Sequence, residues 1–335
     1  MTRAGRRAKI SAISGAAAGP VHMKTTAITK ADFERSVLAV PPMARTADFS
    51  LNVGANRALV RYLEAGGIRT LMYGGNANVY NLGVLEFEAE MRGLVELAGA
   101  DTWIIPSVGP EYGKAMDQAQ ILRALPFPTA MVLPLGFPAT QAGIAIGIRK
   151  IAERYGKPVI AYVKSENYLN PSDAGALIRD GAVVAIKYGV VRKEPATDDY
   201  LSALLDHVSP DQVVSGIGER PAPAHLIKFG LVSFTSGSVC IAPRLSLALL
   251  AALKAGDEEK ALELQTPFLP LEDLRDALSP IRALHSAVSL AGIAEMGPML
   301  PMLTEIQDPA QRRDIERAAR VLRAKDEAHG GQKAA

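Results

Sequence analysis

The sequence predicts a closed (β/α)8 barrel followed by a helical extension. Between residues 36 and 255, short apolar runs alternate with longer amphipathic stretches in about eight successive βα units, and such an unbroken repeat favours a barrel. An open doubly wound sheet is the alternative, but no GxGxxG turn follows the first strand. Residues 257–325 show helical patterns without strands, and 335 residues are enough for a barrel with such an extension.

The predicted elements follow one another in a regular order. Short apolar runs bounded by Gly, Pro or polar residues indicate strands at 36–40, 70–73, 102–106, 129–133, 158–163, 182–187, 212–215 and 231–234. Apolar residues at helical spacing indicate helices at 56–65, 85–98, 112–125, 142–155, 172–179, 197–207, 222–229 and 245–255. The extension carries predicted helices at 258–264, 271–290 and 310–324.

Four regions follow from this order. Residues 1–30 are basic, then small and apolar, and are expected to be a disordered N-terminal extension rather than an export signal. Residues 31–256 form the predicted barrel and residues 257–325 the helical extension. Residues 326–335 are polar and Gly-rich and are expected to be a disordered tail.

Composition and charge exclude several classes of function. A net charge of +2 is too small to argue for nucleic acid binding, and no apolar run is long enough to span a bilayer. Cys240 is the single cysteine and lies in an apolar stretch, which indicates a buried structural thiol. The five histidines are scattered, so neither a metal site nor a cofactor is expected. We expect a cytoplasmic protein that acts on a small molecule.

Candidate catalytic residues lie at the carboxyl ends of the predicted strands, where barrel enzymes place their chemistry. Lys187 closes the apolar run 182–186; burial there would disfavour the ammonium form and make the amine available for Schiff-base chemistry. The alternative is a strand-end lysine that extends to solvent. Tyr162 ends the preceding strand and is placed to relay a proton beside the amine. In the loop after the second strand, backbone N–H groups of Gly75 and Asn76 can converge on a carboxylate.

These segments together resemble the dihydrodipicolinate synthase / N-acetylneuraminate lyase family, from about residue 33 to residue 321. Members are pyruvate-handling class I aldolases and related lyases on a TIM barrel with a C-terminal helical extension. The resemblance implies that Lys187 forms the imine and that Tyr162 is the proton relay. It also implies that the backbone near Gly216 and Val232 contacts a small keto acid substrate, and that the protein is a homotetramer or a dimer.

Three departures from the family pattern concern substrate choice. The loop at residues 74–78, Gly-Gly-Asn-Ala-Asn, lacks the two hydroxyl residues and the glutamate of the family's carboxylate-binding loop. Residues 134–137, Pro-Leu-Gly-Phe, stand where the synthase has a tyrosine pair. Residues 164–167 lack the arginine that holds the synthase's aldehyde substrate. We therefore expect activity other than that of dihydrodipicolinate synthase itself.

The leading hypothesis is a Schiff-base-forming lyase or aldolase that acts on a pyruvate-type 2-keto acid. A sugar-acid (keto-deoxy acid) dehydratase would use the same imine with a different leaving group, and polar residues 164–166 would suit a hydroxylated substrate. A keto-acid-binding paralogue without catalysis is the alternative from another class. The altered loop supports that alternative, whereas the presence of both Lys187 and Tyr162 argues against it.

Overall fold

The computed structural model describes residues 23–332, which form a ring of eight parallel strands inside a layer of helices. In chain order the strands are β1 (Leu38–Ala39), β2 (Thr70–Met72), β3 (Trp103–Ile105 and Ser107–Val108), β4 (Met131–Val132), β5 (Val159–Val163), β6 (Val183–Tyr188), β7 (Val213–Ser215) and β8 (Thr235–Ser236). From β1 to β7, each strand pairs in parallel with its neighbour in sequence, and β8 pairs in parallel with β1. A parallel bridge between Ser215 and Phe234 joins β7 to β8, which confirms the predicted barrel order.

Pro106 divides β3 into two segments because proline has no N–H to donate to the ladder. Its carbonyl still accepts from the N–H of Met131 at 2.8 Å, so the ring continues across the division.

The helices are α1 (Lys30–Glu34), α2 (Val53–Ala65), α3 (Val84–Val95), α4 (Tyr112–Arg123), α5 (Gln141–Tyr155), α6 (Pro171–Arg179), α7 (Asp199–Leu205), α8 (Pro243–Lys254), α9 (Glu258–Gln265), α10 (Leu269–Leu278), α11 (Pro280–Leu290) and α12 (Pro309–Gln332). Between β7 and β8, a π-helical turn at Ala224–Lys228 stands in place of a longer helix. Helices α9 to α12 form the extension, and α12 packs against α8 of the barrel.

The core lies between the ring and the helices, as the sequence pattern predicts. All five residues of β5 are buried, which is typical of strands covered on both faces. Helix α2 buries Leu59, Val60 and Leu63 on one face. Full burial of each such side chain contributes about 1.5–3 kcal/mol. Cys240 is buried and free, as expected.

The predicted last strand was misplaced. Residues 231–234 are apolar enough for a strand, yet Gly230 adopts φ +70° and the ladder begins only at the end of this run. Phe234 O accepts from Leu38 N at 3.0 Å, and strand β8 itself is Thr235–Ser236. The residues that reach the mouth of the barrel therefore come from later in the chain than predicted.

The chain ends that the structure describes are more ordered than predicted. Met23 is buried and Lys24 N donates to Thr102 O at 2.9 Å, so the predicted disordered extension does not hold for residues 23–30; residues 1–22 lie outside the described part. Helix α12 continues to Gln332, which overturns the predicted tail from residue 326. Asp326 is the reason: its buried carboxylate accepts from the backbone N–H groups of Arg244 and Leu245 at 2.7 and 2.9 Å. Residues 333–335 also lie outside the described part.

Within residues 23–332, none of the helices has the length and apolar character that crossing a membrane requires.

Candidate active site

Lys187 and Tyr162 stand side by side at the carboxyl ends of β6 and β5. The two residues are register partners in the parallel ladder, so their side chains leave the same face of the ring. Lys187 Nζ lies 4.3 Å from the centroid of the Tyr162 ring. The lysine is only 6% exposed, so it does not extend to solvent.

Burial controls the protonation of both groups. Desolvation lowers the pKa of Lys187 to about 7, and the positive charges of Lys164 and Arg275 add to this effect. Burial likewise raises the pKa of Tyr162, so the phenol remains protonated at neutral pH. Its hydroxyl has no hydrogen-bond partner within residues 23–332 and is free to bond a substrate oxygen. The site thus combines an amine whose neutral form is well populated at neutral pH with a proton-donating hydroxyl.

Gly189, just beyond β6, makes room for this arrangement. A Cβ at Gly189 would lie 2.8 Å from Tyr162 Cε2 and 3.3 Å from its hydroxyl oxygen. Since contacts below 3.0 Å force a neighbour to shift, any side chain at residue 189 would displace the tyrosine ring from Lys187.

A cavity of about 620 Å³ opens over the lysine. Gly75, Asn76 and Gly216 line it, as predicted, but Val232 does not. The later start of β8 explains the difference, because Thr235 and Gly237 reach the cavity instead. Candidate residue Val232 is partly buried against the core.

Hydrogen bonds limit what the predicted binding residues can donate. Asn76 Nδ2 donates to Val40 O at 2.8 Å, which ties the loop after β2 to β1. Gly216 N donates to Tyr188 O at 2.5 Å, so its N–H is already used. The N–H groups of Gly75 and Asn76 have no acceptor among the described residues, so they remain available for an anion.

Tyr80 is a cavity residue that the sequence reasoning missed. It lies in the 3₁₀ turn Val79–Asn81, directly after the loop that carries Gly75 and Asn76. Burial raises the pKa of its hydroxyl to about 12, and its charge contributes to raising the pKa of Tyr162. Its position directly after the predicted carboxylate-binding loop is the feature of the sequence that could have indicated it.

Glu272 and Arg275 were also missed. Both lie on α10 of the extension, more than eighty residues after β6, and both line the cavity. No local sequence motif marks them, because only the packing of the extension on the barrel brings them to Lys187.

The loops after β5 and β6 are fastened to each other beside the cavity. Arg192 forms ion pairs with Glu166 and with Asp198, the latter at 2.9 Å. Tyr188 donates to the same Asp198 carboxylate at 2.5 Å. This link holds residues 164–167 close to the mouth of the cavity.

No group of three or more His, Cys, Asp or Glu residues placed to hold a metal ion occurs in the described part of the chain. The side chains that line the cavity include an amine, phenol hydroxyls and charged groups.

A barrel that carries a buried strand-end lysine beside a tyrosine defines the class: lyases of the class I aldolase type. Comparison with known proteins identifies the family. The model of the dihydrodipicolinate synthetase family matches residues 34–317, and the chain belongs to this family.

Curated relatives include both synthases and dehydratases. The 4-hydroxy-tetrahydrodipicolinate synthase of Methanopyrus kandleri is 30% identical over 194 residues, covering 56% of this chain and 62% of that protein, which is less than two thirds of its length. A probable 5-dehydro-4-deoxyglucarate dehydratase of Streptomyces coelicolor is 25% identical over 288 residues, covering 82% and 88%.

Solved structures show the same fold. Dihydrodipicolinate synthase from Oceanobacillus iheyensis superposes with a TM-score of 0.76 at 21% identity, over 86% of this chain and 96% of that one. A catalytic lysine mutant of the sialic acid aldolase from Ruminococcus gnavus gives 0.76 at 12% identity, over 89% and 98%.

Proposed function

We propose that this protein forms an imine between Lys187 and a 2-keto acid and uses it to cleave or eliminate at the neighbouring carbons. One observation carries the proposal: a buried strand-end amine with a pKa lowered to about 7 lies against a tyrosine at the base of a cavity. The family match supports it, because the members with names of known activity are synthases, dehydratases and aldolases.

The proposed reaction begins with the neutral amine of Lys187. Its lone pair attacks the keto carbon, and the Tyr162 hydroxyl gives a proton to the oxygen of the resulting carbinolamine, which leaves as water. The protonated imine then accepts the electron pair of a breaking C–C or C–H bond, which yields an enamine. The Tyr162 phenolate takes up the proton released by the C–H bond, or by the hydroxyl beside a cleaved C–C bond. In a dehydratase that enamine would expel a hydroxyl group; in an aldolase it would be protonated. Hydrolysis of the imine restores Lys187.

The carboxylate beside the keto group is proposed to bind the N–H groups of Gly75 and Asn76. These N–H groups are unpaired, line the cavity and follow β2, which stands four strands from β6 in the ring. Backbone N–H groups thereby take over the role of the absent loop hydroxyls. Gly216 is not proposed as a donor, because its N–H already bonds Tyr188 O. Its lack of a side chain allows this close approach, since a Cβ there would lie 2.5 Å from Tyr188 O.

Reductive trapping tests the imine directly. Sodium borohydride with pyruvate should attach one reduced adduct, found by intact mass and located at Lys187 by peptide mapping. Lys164 is a second lysine of the same cavity and provides the matched control. Lys187→Ala should abolish the adduct and Lys164→Ala should retain it; the reverse result, or no adduct in the wild type, would refute the proposal.

A sugar-acid dehydratase is the second candidate. Its support is that two of the curated relatives from Streptomyces coelicolor, both named probable 5-dehydro-4-deoxyglucarate dehydratases, align with more than four-fifths of this chain. Incubation with 5-dehydro-4-deoxyglucarate, followed by proton NMR, would show its consumption if this candidate is right. An imine that is trapped but never turned over across a panel of keto acids would indicate a binding paralogue instead.

We also propose that the protein acts in the cytoplasm as a homotetramer or a dimer. An apolar groove beside α5 supports self-association, since Phe137 in it is 87% exposed and Tyr112 half exposed. Light scattering after size exclusion should give a multiple of the 35.5 kDa chain, and Phe137→Glu should lower it. A monomer at micromolar concentration, or recovery of the native protein outside the cytoplasm, would contradict these assignments.

A further inference from the structure

Two glycines at the mouth of the barrel make room for an ion pair from the extension. A Cβ at Gly218, beyond β7, would lie 2.7 Å from Glu272 Oε2. A Cβ at Gly237, directly after β8, would lie 2.8 Å from Arg275 Nη2 and 3.0 Å from its Cζ. The barrel therefore leaves space at two strand ends, and α10 fills it with charged groups that line the cavity.

The Arg275 guanidinium has more donors than the protein uses. Nη1 donates to Glu272 Oε1 at 2.6 Å and to Ser238 Oγ at 3.3 Å. Nε is buried without a partner, and Nη2 bonds no group within the described residues. A guanidinium carries five N–H donors in a fixed plane, and leaving buried ones unmade costs free energy. Arg275 is only 9% exposed, so few water molecules can replace the missing partners.

Glu272 likewise has a carboxylate oxygen without a hydrogen-bond donor among the described residues. Its Oε1 accepts from Arg275 and from the Ser238 hydroxyl, whereas Oε2 faces Gly218 and accepts from no described group. Burial, together with the charge of Glu272, raises the pKa of the nearby Glu219 to about 7. Burial thus favours the protonated form of Glu219, and the carboxylate that is hydrogen-bonded to Arg275 is that of Glu272.

The pair is close to the reacting amine but apart from the proposed carboxylate loop. The charge of Arg275 contributes to the lowered pKa of Lys187, which places the two side chains within electrostatic reach. Gly75 and Asn76 follow β2, whereas Arg275 enters beside the ends of β7 and β8. A keto acid held at Lys187 with its first carboxylate on the β2 loop would extend its remaining carbons toward a different wall.

We propose that Arg275 and Glu272 select the substrate by binding the end that lies away from the keto group. Arg275 binds a second carboxylate through Nη2, and Glu272 Oε2 accepts from an adjacent hydroxyl. The substrate class is then a hydroxylated dicarboxylic 2-keto acid. This assignment rests on the proposed imine chemistry and adds its specificity.

Matched keto acids separate this role from a structural one. We would measure the concentration that gives half-maximal borohydride trapping for pyruvate, 2-oxoglutarate and 2-oxopentanoate. The last two have the same chain length and differ only at the far end, which is a carboxylate in one and a methyl group in the other. In the wild type, a charge-assisted contact should make the 2-oxoglutarate value about 10- to 100-fold lower than that of 2-oxopentanoate.

Four variants test the residues. Arg275→Gln should remove the preference for 2-oxoglutarate over 2-oxopentanoate, measured as the ratio of their two values, in which any effect of the lost charge on the Lys187 amine cancels. Arg275→Lys should restore part of the preference, since lysine keeps the positive charge but lacks the planar guanidinium. Gly237→Ala keeps the arginine at residue 275 but displaces its guanidinium, so it should reduce the same preference. Lys260→Gln removes a cation of an exposed ion pair on α9 and should have no effect.

The outcomes are distinguishable. An adduct with pyruvate but no wild-type preference for 2-oxoglutarate would overturn the specificity assignment alone. Equal weakening of all three keto acids in Arg275→Gln and Gly237→Ala would overturn it too, because the pair would then serve the shared carboxylate or the docking of the extension. Absence of any adduct at Lys187 would overturn the imine proposal and this assignment together.

Discussion

Lys187 should destabilise the folded protein, and its replacement by methionine measures the cost. The folded-state pKa is lowered from 10.5 to about 7, and one pKa unit corresponds to about 1.36 kcal/mol. Burial therefore costs about 5 kcal/mol when the amine must be charged. The Tyr162 ring, whose centroid lies 4.3 Å from Nζ, stabilises the ammonium form by about 1 kcal/mol, so the net cost of burying the charged amine is about 4 kcal/mol.

The sign of the pH dependence follows from proton linkage. Between the folded pKa and 10.5 the unfolded chain holds a proton on this lysine that the folded protein lacks, so this contribution to stability rises with pH. The cost is complete below about pH 7 and falls to about 1.5 kcal/mol at pH 9.5. Methionine keeps a similar volume without the charge, so Lys187→Met should raise the free energy of unfolding by these amounts.

Urea unfolding of both proteins at pH 6 and pH 9.5 is the appropriate assay. Groups common to both proteins cancel in the difference, which should shrink by about 2.5 kcal/mol from the lower to the higher pH. Lys150→Met is the control, since Lys150 is an exposed ion-pair residue on α5 and should give no pH-dependent difference. A Lys187→Met variant less stable than the wild type at pH 6, or equally stabilised at both pH values, would refute the reasoning.

Three further predictions follow from the same structure. The rate of imine formation with pyruvate should rise with pH through an apparent pKa near 7, and a midpoint near 10 would contradict the burial of the amine. Lys164→Met should move this midpoint to higher pH, because the Lys164 charge lowers the pKa of Lys187. Tyr162→Phe should lower kcat by about 10²- to 10⁴-fold, whereas Tyr80→Phe should lower it less, as measured under saturating substrate; unchanged turnover in Tyr162→Phe would exclude it from proton transfer. Asp326→Ala leaves two backbone N–H groups at the start of α8 unpaired and should lower the free energy of unfolding by about 2–4 kcal/mol, with early proteolysis in α12. The control Asp314→Ala, at an exposed residue of the same helix, should change neither. Equal stability of the two variants would show that α12 is held by other contacts.

The sequence predicted the barrel and the central pair because both depend on local order. In a parallel barrel, strands that follow each other along the chain become neighbours, so two polar residues at consecutive strand ends must meet. Lys187 and Tyr162 satisfy this condition, and their register pairing confirms that they are adjacent. Apolar runs bounded by Gly and Pro were similarly sufficient to locate most strands within a few residues.

The features that escaped prediction depend on tertiary contacts. Residues 231–234 have strand-like composition, but the start of β8 is set by where Phe234 meets Ser215 across the ring. The length of α12 depends on Asp326 reaching α8, more than eighty residues earlier in the chain. Arg275 and Glu272 are ordinary charged residues of an amphipathic helix until α10 packs on the barrel, and no short-range pattern distinguishes them from exposed neighbours such as Asp273.

The two glycines beside the ion pair show that barrel and extension fit each other at the cavity. If α10 merely covered the barrel, alanine would be tolerated at Gly237, whose φ of −83° suits any residue. Instead a single methyl group there would meet the Arg275 guanidinium at 2.8 Å. The reacting amine depends on the β5–β6 ladder, whereas the wall beside it depends on how α10 docks. Substitutions in α10 should therefore alter which keto acids bind while leaving the pH profile of imine formation close to that of the wild type, apart from the contribution of the Arg275 charge itself.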